Sequence, residues 1–398
     1  MKSNSKFTAL LLLVVAEVAA MSLWFVSSAV LPEMLKEAAL SPFSQAALSS
    51  SVQAGFVVGA LASAVLGISD RFDPRRVFAA SAAGAGLLNC LLVLLPPGHA
   101  LSIAARAGTG ALLAGVYPVG MKIAVGWGDK DRGFLVGVLV GALTLGSASP
   151  HLLAMAGGGN WRATVLLTSA AAVVAGALVL LVRLGPHHAA SARFDPRAVT
   201  LAWTNRRVRW AYAGYLGHMW ELFAMWAWCG VIAAESYKHA LAGSDADWLA
   251  KLTAFCVIAI GAVTCAVAGV FADRIGKAEI TIIAMVASGA AALATAATFG
   301  GPPWLTFCLM LVWGAAVIPD SAQFSALVAD ASPPEQAGSL LTFQTALGFA
   351  LTFATVQLTP ALASALGWPA VIAGMAIGPA YGIWAMSKLV RPAQTFRG

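Results

Sequence analysis

Gly269-Val270-Phe271-Ala272-Asp273-Arg274-Ile275-Gly276-Lys277 sets three charged residues and two glycines between two long apolar runs, at approximately 249–272 and 278–299. About 20 apolar residues suffice to cross a bilayer as a helix. A chain that crosses, turns and crosses back needs a passage of this kind. Glycine allows the tight reversal, the aspartate can meet a neighbouring helix N-terminus, and the basic residues anchor to the inner membrane surface. The passage reads as the turn between two antiparallel spans.

Working outward, the same alternation of apolar run and short polar turn fills the chain. It has 398 residues, 60% hydrophobic and 10% charged, with a mean hydropathy of +0.82. A soluble domain carries roughly 25% charged residues. Backbone groups in lipid must be satisfied internally, by helices or by a closed barrel; the runs are long and continuous rather than short and alternating, so helices are expected. Twelve spans are predicted, at approximately 7–31, 44–69, 77–96, 100–126, 133–156, 161–184, 208–235, 249–272, 278–299, 303–328, 336–363 and 368–390. The first begins after Lys2 and Lys6 and reads as an uncleaved span, since Glu17 interrupts what would be a signal-peptide core. The longest polar stretch, 185–207, divides the chain into a first six-helix bundle at 1–184 and a second at 208–398.

Nineteen Lys and Arg fall on the side of the N-terminus and four on the other, with Arg106 inside a span. This bias predicts an inner-membrane protein with both termini cytoplasmic. It also accounts for the net charge of +7 without nucleic acid, for which no basic helix or aromatic-basic patch speaks. The five cysteines lie inside apolar runs without metal-ligand spacing, and His187-His188 lacks it too, so neither a metal nor a cofactor is expected. No zinc-protease or serine-hydrolase motif is present, and Ile275-Gly276-Lys277-Ala278 lacks the first glycine and the hydroxyl of a phosphate loop.

The halves repeat each other. Asp70-Arg71 returns as Asp273-Arg274 after 203 residues, Pro118 as Pro319 after 201, and Trp24 as Trp226 after 202. Duplicated six-helix units place a substrate near the membrane midplane, between the halves.

The turn quoted above resembles the signature loop of the major facilitator superfamily, G-x-x-x-D-R-x-G-[RK]. The first-half copy, Leu66-Gly67-Ile68-Ser69-Asp70-Arg71-Phe72-Asp73-Pro74-Arg75-Arg76, keeps the Asp, Arg and basic pair. It departs from the pattern by a displaced first glycine and by Asp73 in place of the second. Arg106-Ala107-Gly108-Thr109-Gly110 is similar to the family's span-four element. The resemblance implies an all-α membrane protein of twelve helices in two pseudo-symmetric bundles, the major facilitator fold. It further implies a secondary transporter, a central cavity lined by spans one and seven, and a span-four arginine linked to proton coupling. Tyr117–Lys122 and Gly141–His151 look like members grouped with nitrate/nitrite porters, yet spans two and eight lack those porters' interior arginines.

Charges at membrane depth are costly and mark function. Glu17 and Glu221 fall near the middle of spans one and seven, and the repeat makes them near equivalents, expected to face one cavity. His218, three residues from Glu221, shares its helical face; these two are the first candidates for carrying a proton. Arg106 is expected to pair with Glu17 or with a substrate carboxylate. Asp320, after Pro319, could belong to an inner gate with Gln323, or bond Ser321 or a basic loop. Trp220 and Trp226 could wall the cavity, and His151 reads as a packing histidine. Gly133, Gly137, Gly141 and Gly146 form a small-residue ridge in span five. Asp70, Arg71, Asp273, Arg274, Gly276, Pro118 and Pro319 are assigned to conformational change. The partners expected are a small-molecule substrate, an anion being favoured, together with protons and the lipid bilayer around a monomer. A drug or metabolite efflux pump and a non-transporting receptor on the same fold are the alternatives.

Overall fold

The computed structural model describes residues 2–129, 131–188, 194–241 and 243–390. The side chains of Asp70 and Asp273 lie outside the described part. Among the described residues the regular structure is helical throughout, and eleven segments are long and apolar enough to cross a membrane. Span seven, Arg206–Tyr237, completes the twelve; its 32 residues mix aromatic and polar side chains with the apolar ones. Spans two, three, five and six are Pro42–Leu66, Pro74–Leu94, Arg132–Ala156 and Trp161–Val179. Spans eight, nine and eleven are Gly243–Ile275, Lys277–Ala297 and Pro334–Leu366. Large apolar side chains such as Phe7, Val58, Leu94, Phe134 and Leu181 stand exposed around the outside, as a lipid solvent requires.

Local chemistry sets the ends. Span two starts at Pro42 with the Ser41 hydroxyl accepting from Ser44 N, a proline in the first turn behind a hydroxyl cap. Asn205 accepts from Arg207 N and Val208 N at the head of span seven. In the turn before span nine Gly276 has φ +120°, a conformation that L side chains rarely adopt, so the expected need for glycine holds there. In the first-half copy Gly67 (φ +61°) ends span two. Asp73 caps span three, accepting from Arg75 N and pairing with the Arg75 guanidinium at 2.6 Å. The departure from the loop pattern thus has a structural use.

Three spans are broken. Span one is two helices, Lys2–Met21 and Val26–Glu37; span four is Ala100–Leu113 and Tyr117–Val125; span ten is Pro303–Val317 and Ser321–Asp330. The breaks in spans four and ten lie beside Pro118 and Pro319. The one in span one has no proline or glycine to announce it. Span twelve, Trp368–Met375 and Ile377–Ser387, is interrupted at Ala376 alone.

The bundles meet along spans five and eight and along spans two and eleven. In the first seam a Cβ on Gly141 would lie 3.4 Å from the Ala262 carbonyl oxygen, and small residues allow this approach. Gly146 packs instead on Val18 and Met21 of span one, and nothing stands within 4 Å of where a Cβ would sit on Gly133 or Gly137. The glycine ridge therefore serves two neighbours with two of its four members. In the second seam Ser50 Oγ donates to Gln357 Oε1 at 2.6 Å, and Gln357 Nε2 to the Phe43 carbonyl at 3.1 Å.

Candidate functional site: the interior of spans one, four, seven and ten

Between Met21 and Val26 the backbone leaves the helix, and carbonyls that a helix would have used are left in the interior. Each needs a donor. Arg106, fully buried in span four, supplies them: Nη1 donates to Leu23 O at 2.9 Å and Nη2 to Trp24 O at 2.8 Å. Nη1 also reaches Asn89 Oδ1 at 2.8 Å, and Nε reaches Leu48 O at 3.2 Å. Asn89 is fixed in turn by donating to Ser169 Oγ at 2.9 Å. The expected partners of Arg106, Glu17 or a substrate carboxylate, are thus replaced by four neutral acceptors. The cation is taken up by the backbone break that the sequence did not reveal.

Glu17 is fully buried, and among the described residues neither carboxylate oxygen has a hydrogen-bond partner. It faces span four: a Cβ on Gly120 would lie 2.7 Å from Oε2 and 3.4 Å from the Phe78 ring. In the second half His218 stands 201 residues after Glu17, the interval that separates Pro118 from Pro319. His218 Nδ1 lies 2.9 Å from Asp320 Oδ1, with both side chains 1% exposed. The halves therefore carry titratable groups at matching places with different chemistry. In the first, span one brings an acid against a glycine of span four. In the second, span seven brings an imidazole against an acid of span ten.

This bears on three expectations. His218 is paired with Asp320 across the bundle, not with Glu221 along its own helix. Asp320, at the break beside Pro319, is turned inward and its side chain meets His218 rather than a basic loop. Glu221 accepts from Trp313 Nε1 at 2.7 Å and Ser288 Oγ at 2.9 Å, so it lies among spans seven, nine and ten while Glu17 lies against Gly120 of span four. Among the described residues the two glutamates have no contact partner in common. Gln323 is buried one turn beyond Asp320. His151 is buried, and it borders a small cavity with Ser28, Gly230, Asp247 and Lys251.

Above these groups six rings close the middle of the interface. Trp24, Phe25 and Phe56 come from the first bundle, and Phe223, Trp226 and Phe349 from the second. Phe56 and Phe349 are 4.7 Å apart between centroids, Trp24 and Phe349 5.5 Å, Trp24 and Phe223 5.8 Å, and Phe25 and Trp226 6.0 Å. Trp226 is buried among these rings, whereas Trp220 turns to span twelve, donates to Gly374 O at 3.1 Å and is 38% exposed.

Let the near face be the one where span one begins and span twelve ends. Two ion pairs join the bundles at the opposite, far face: Glu33 with Lys251, and Lys36 with Asp247 at 3.2 Å. Both link span one to span eight. The near face has pairs within each half, Lys6 with Asp131 at 2.7 Å and Lys277 with Asp330 at 2.5 Å. The hydrogen bond from Lys6 holds the Asp131 carboxyl below its ordinary range. Arg71 and Arg274 are exposed at this face. Among the described residues no group of His, Cys, Asp and Glu is placed to hold a metal.

Two helical bundles whose spans one, four and ten are broken, with titratable groups buried beside the breaks, make a polytopic membrane protein. The sequence profile described as Major Facilitator Superfamily matches residues 12–351, and the chain belongs to that family. Among solved structures it is similar to the xylose transporter XylE of E. coli in a partially occluded inward-open conformation (15% identity, TM-score 0.74, covering 98% of this chain and 99% of that one). A D-xylose-proton symporter matches at 16% identity and TM-score 0.74, covering 97% of each chain. A mutant form of the nucleoside transporter NupG matches at 13% and 0.72, covering 96% of this chain and 100% of that one. At these identities the likeness is one of fold. No curated protein sequence matches the chain.

Several site residues carried no signal in the sequence. Asn89, Ser288 and Trp313 look like ordinary members of their spans, and Gly120 looks like one more small residue. Glu33 and Lys251 read as loop-end charges until the fold brings them together.

Proposed function

We propose that this protein is a proton-coupled secondary transporter of the cell inner membrane, with both termini cytoplasmic. Residues 1–184 and 208–398 rock about the seams of spans five with eight and two with eleven, and 185–207 joins them. The observation that carries this reading is Glu17, buried beside Gly120 without a hydrogen-bond partner among the described residues. An unpaired carboxylate held in an apolar interior is expensive, and taking up a proton removes that cost. A change of state that admitted water to span one would let the proton go. The His218–Asp320 pair offers a second place to bind and release a proton, on the other half. Glu221 has settled partners and serves packing.

The cargo is a small uncharged organic solute. An anion, favoured by Arg106 in the sequence, loses that support because the guanidinium is engaged by Leu23 O, Trp24 O, Asn89 Oδ1 and Leu48 O. The xylose and nucleoside transporters of similar fold handle uncharged cargo by their names, which agrees with this reading without choosing among such solutes.

The test is proton movement into proteoliposomes loaded with a pH dye, after addition of nicotinamide, uracil, D-xylose, benzoate or nitrate one at a time. Flux with an uncharged probe that Glu17→Gln abolishes is expected. Undiminished flux in that variant would remove Glu17 from the coupling, and flux with nitrate alone would reverse the cargo assignment.

A further inference from the structure

The six rings at the interface hold two polar atoms that their surroundings do not explain. Trp24 Nε1 and Trp226 Nε1 are buried, and among the described residues neither has an acceptor. The residues are 2% and 0% exposed and stand 202 apart, one in each half of the duplication. A buried donor left without a partner costs about 1–3 kcal/mol, and such a group in a native protein calls for an explanation. Packing alone would be served by phenylalanine, which the same cluster uses at Phe25, Phe56, Phe223 and Phe349. Beyond Phe349 on the near-face side, Gln344 is 2% exposed with both ends of its carboxamide unpartnered among the described residues. It lies one turn from Gly348, where a Cβ would meet the Tyr215 ring.

We propose that Trp24 and Trp226 are the cargo-recognition pair. They receive an uncharged, ring-bearing organic molecule between the bundles and donate their indole N–H groups to its acceptor atoms. The place of this site rests on the transporter reading above; its chemistry rests on the side chains. Rings from both halves provide faces for a flat apolar body. Two indole donors and one carboxamide are few, so a polyhydroxylated sugar would bury hydroxyls without partners. The nearby cation is taken up by the span-one break, so an anion finds no compensating charge. A flat body with a few carbonyl or ring-nitrogen acceptors fits what remains. Trp24 sits on the unwound turn that Arg106 holds, so the recognition group of the first half is mounted on its broken helix.

The experiment is binding rather than transport, so it does not depend on proton coupling. Detergent-purified full-length protein is melted with nicotinamide, uracil, D-xylose, benzoate or nitrate at a series of concentrations; a ligand raises the melting temperature only by binding the folded state. Nicotinamide or uracil is expected to stabilise, and the other three are not. Trp24→Phe and Trp226→Phe keep the rings and remove the donors. Each should weaken the apparent affinity by about threefold to tenfold, the loss of one hydrogen bond. Trp161→Phe, a buried tryptophan away from the six rings, should change nothing and controls for folding. Stabilisation by D-xylose, benzoate or nitrate without either ring compound, or none by any probe, overturns the assignment. So does unchanged affinity in both Phe variants. If binding follows the expectation while Glu17→Gln leaves proton flux intact, the coupling reading fails and this one stands.

Discussion

Arg106 Nη2 donates to the backbone oxygen of Trp24 at 2.8 Å, so a side chain of span four holds the unwound turn of span one. Shortening this side chain should loosen that turn. Lysine has one charged nitrogen and cannot reach four separated acceptors. Arg106→Lys is expected to destabilise by about 2–4 kcal/mol, from interior carbonyls left unpaired, and to lower the melting temperature of purified protein. An unchanged melting curve would mean the turn is held by something else.

Gly120 leaves room for the Glu17 carboxyl. A methyl group there would lie 2.7 Å from Oε2, closer than carbon and oxygen approach without displacement. Gly120→Ala should fold at a cost of about 1–3 kcal/mol and reduce probe-driven proton flux at least tenfold. Flux equal to wild type would show that the carboxyl has freedom to move aside.

His218 and Asp320 should behave as a unit. Removing one partner of a buried pair strands the other and costs about 3–5 kcal/mol. The double variant His218→Gln, Asp320→Asn should therefore lose much less than the two singles together, with a coupling of about 0.5–3 kcal/mol in a double-mutant cycle. Additive losses would mean the 2.9 Å approach has no energetic content.

The far-face pairs should bias the carrier toward the state that closes that face. With Lys251→Met, a cysteine placed at Ser28 in a background without the native cysteines should react faster with a membrane-impermeant maleimide, by at least threefold. Exchanging the charges, Glu33→Lys with Lys251→Glu, should restore the slower rate. The exposed Lys36–Asp247 pair contributes less, about 0–1 kcal/mol.

Asp73 should confer a stability that depends on acid. Its hydrogen bond from the Arg75 side chain holds the carboxyl below the ordinary carboxylate range. A group lowered in the folded state stabilises above its unfolded value, near pH 4, and that contribution fades as pH falls through the folded one. Arg75→Ala should therefore be less stable than wild type at pH 7, and the gap should close as pH falls in melts taken from pH 7 down to 3. Coincident profiles would argue against the pairing.

Span count, family and the Gly276 turn depend on patterns of many residues or on a motif, and those are legible in a string of letters. The break at Ser22–Phe25 is not, because nothing local demands it; the carbonyls leave the helix where a guanidinium from another span can receive them. Without that break in view, Arg106 points first toward Glu17 and then toward an anion. Glu221 is misleading for a related reason. Helical spacing finds neighbours along a span, whereas Trp313 and Ser288 reach it from two others. Asp320 stands out in the sequence by its charge beside Pro319, but its partner lies across the bundle, about a hundred residues away in the chain.

The ring cluster has a consequence for the idle protein. Its members interlock from both sides, so parting the bundles without cargo would wet several aromatic faces at once, at roughly 25 cal/mol for each Å² uncovered. An empty carrier pays that toll in full, whereas a flat solute slipped between the rings keeps them covered. The plug would thus act as a leak barrier, making the unloaded protein reluctant to change state.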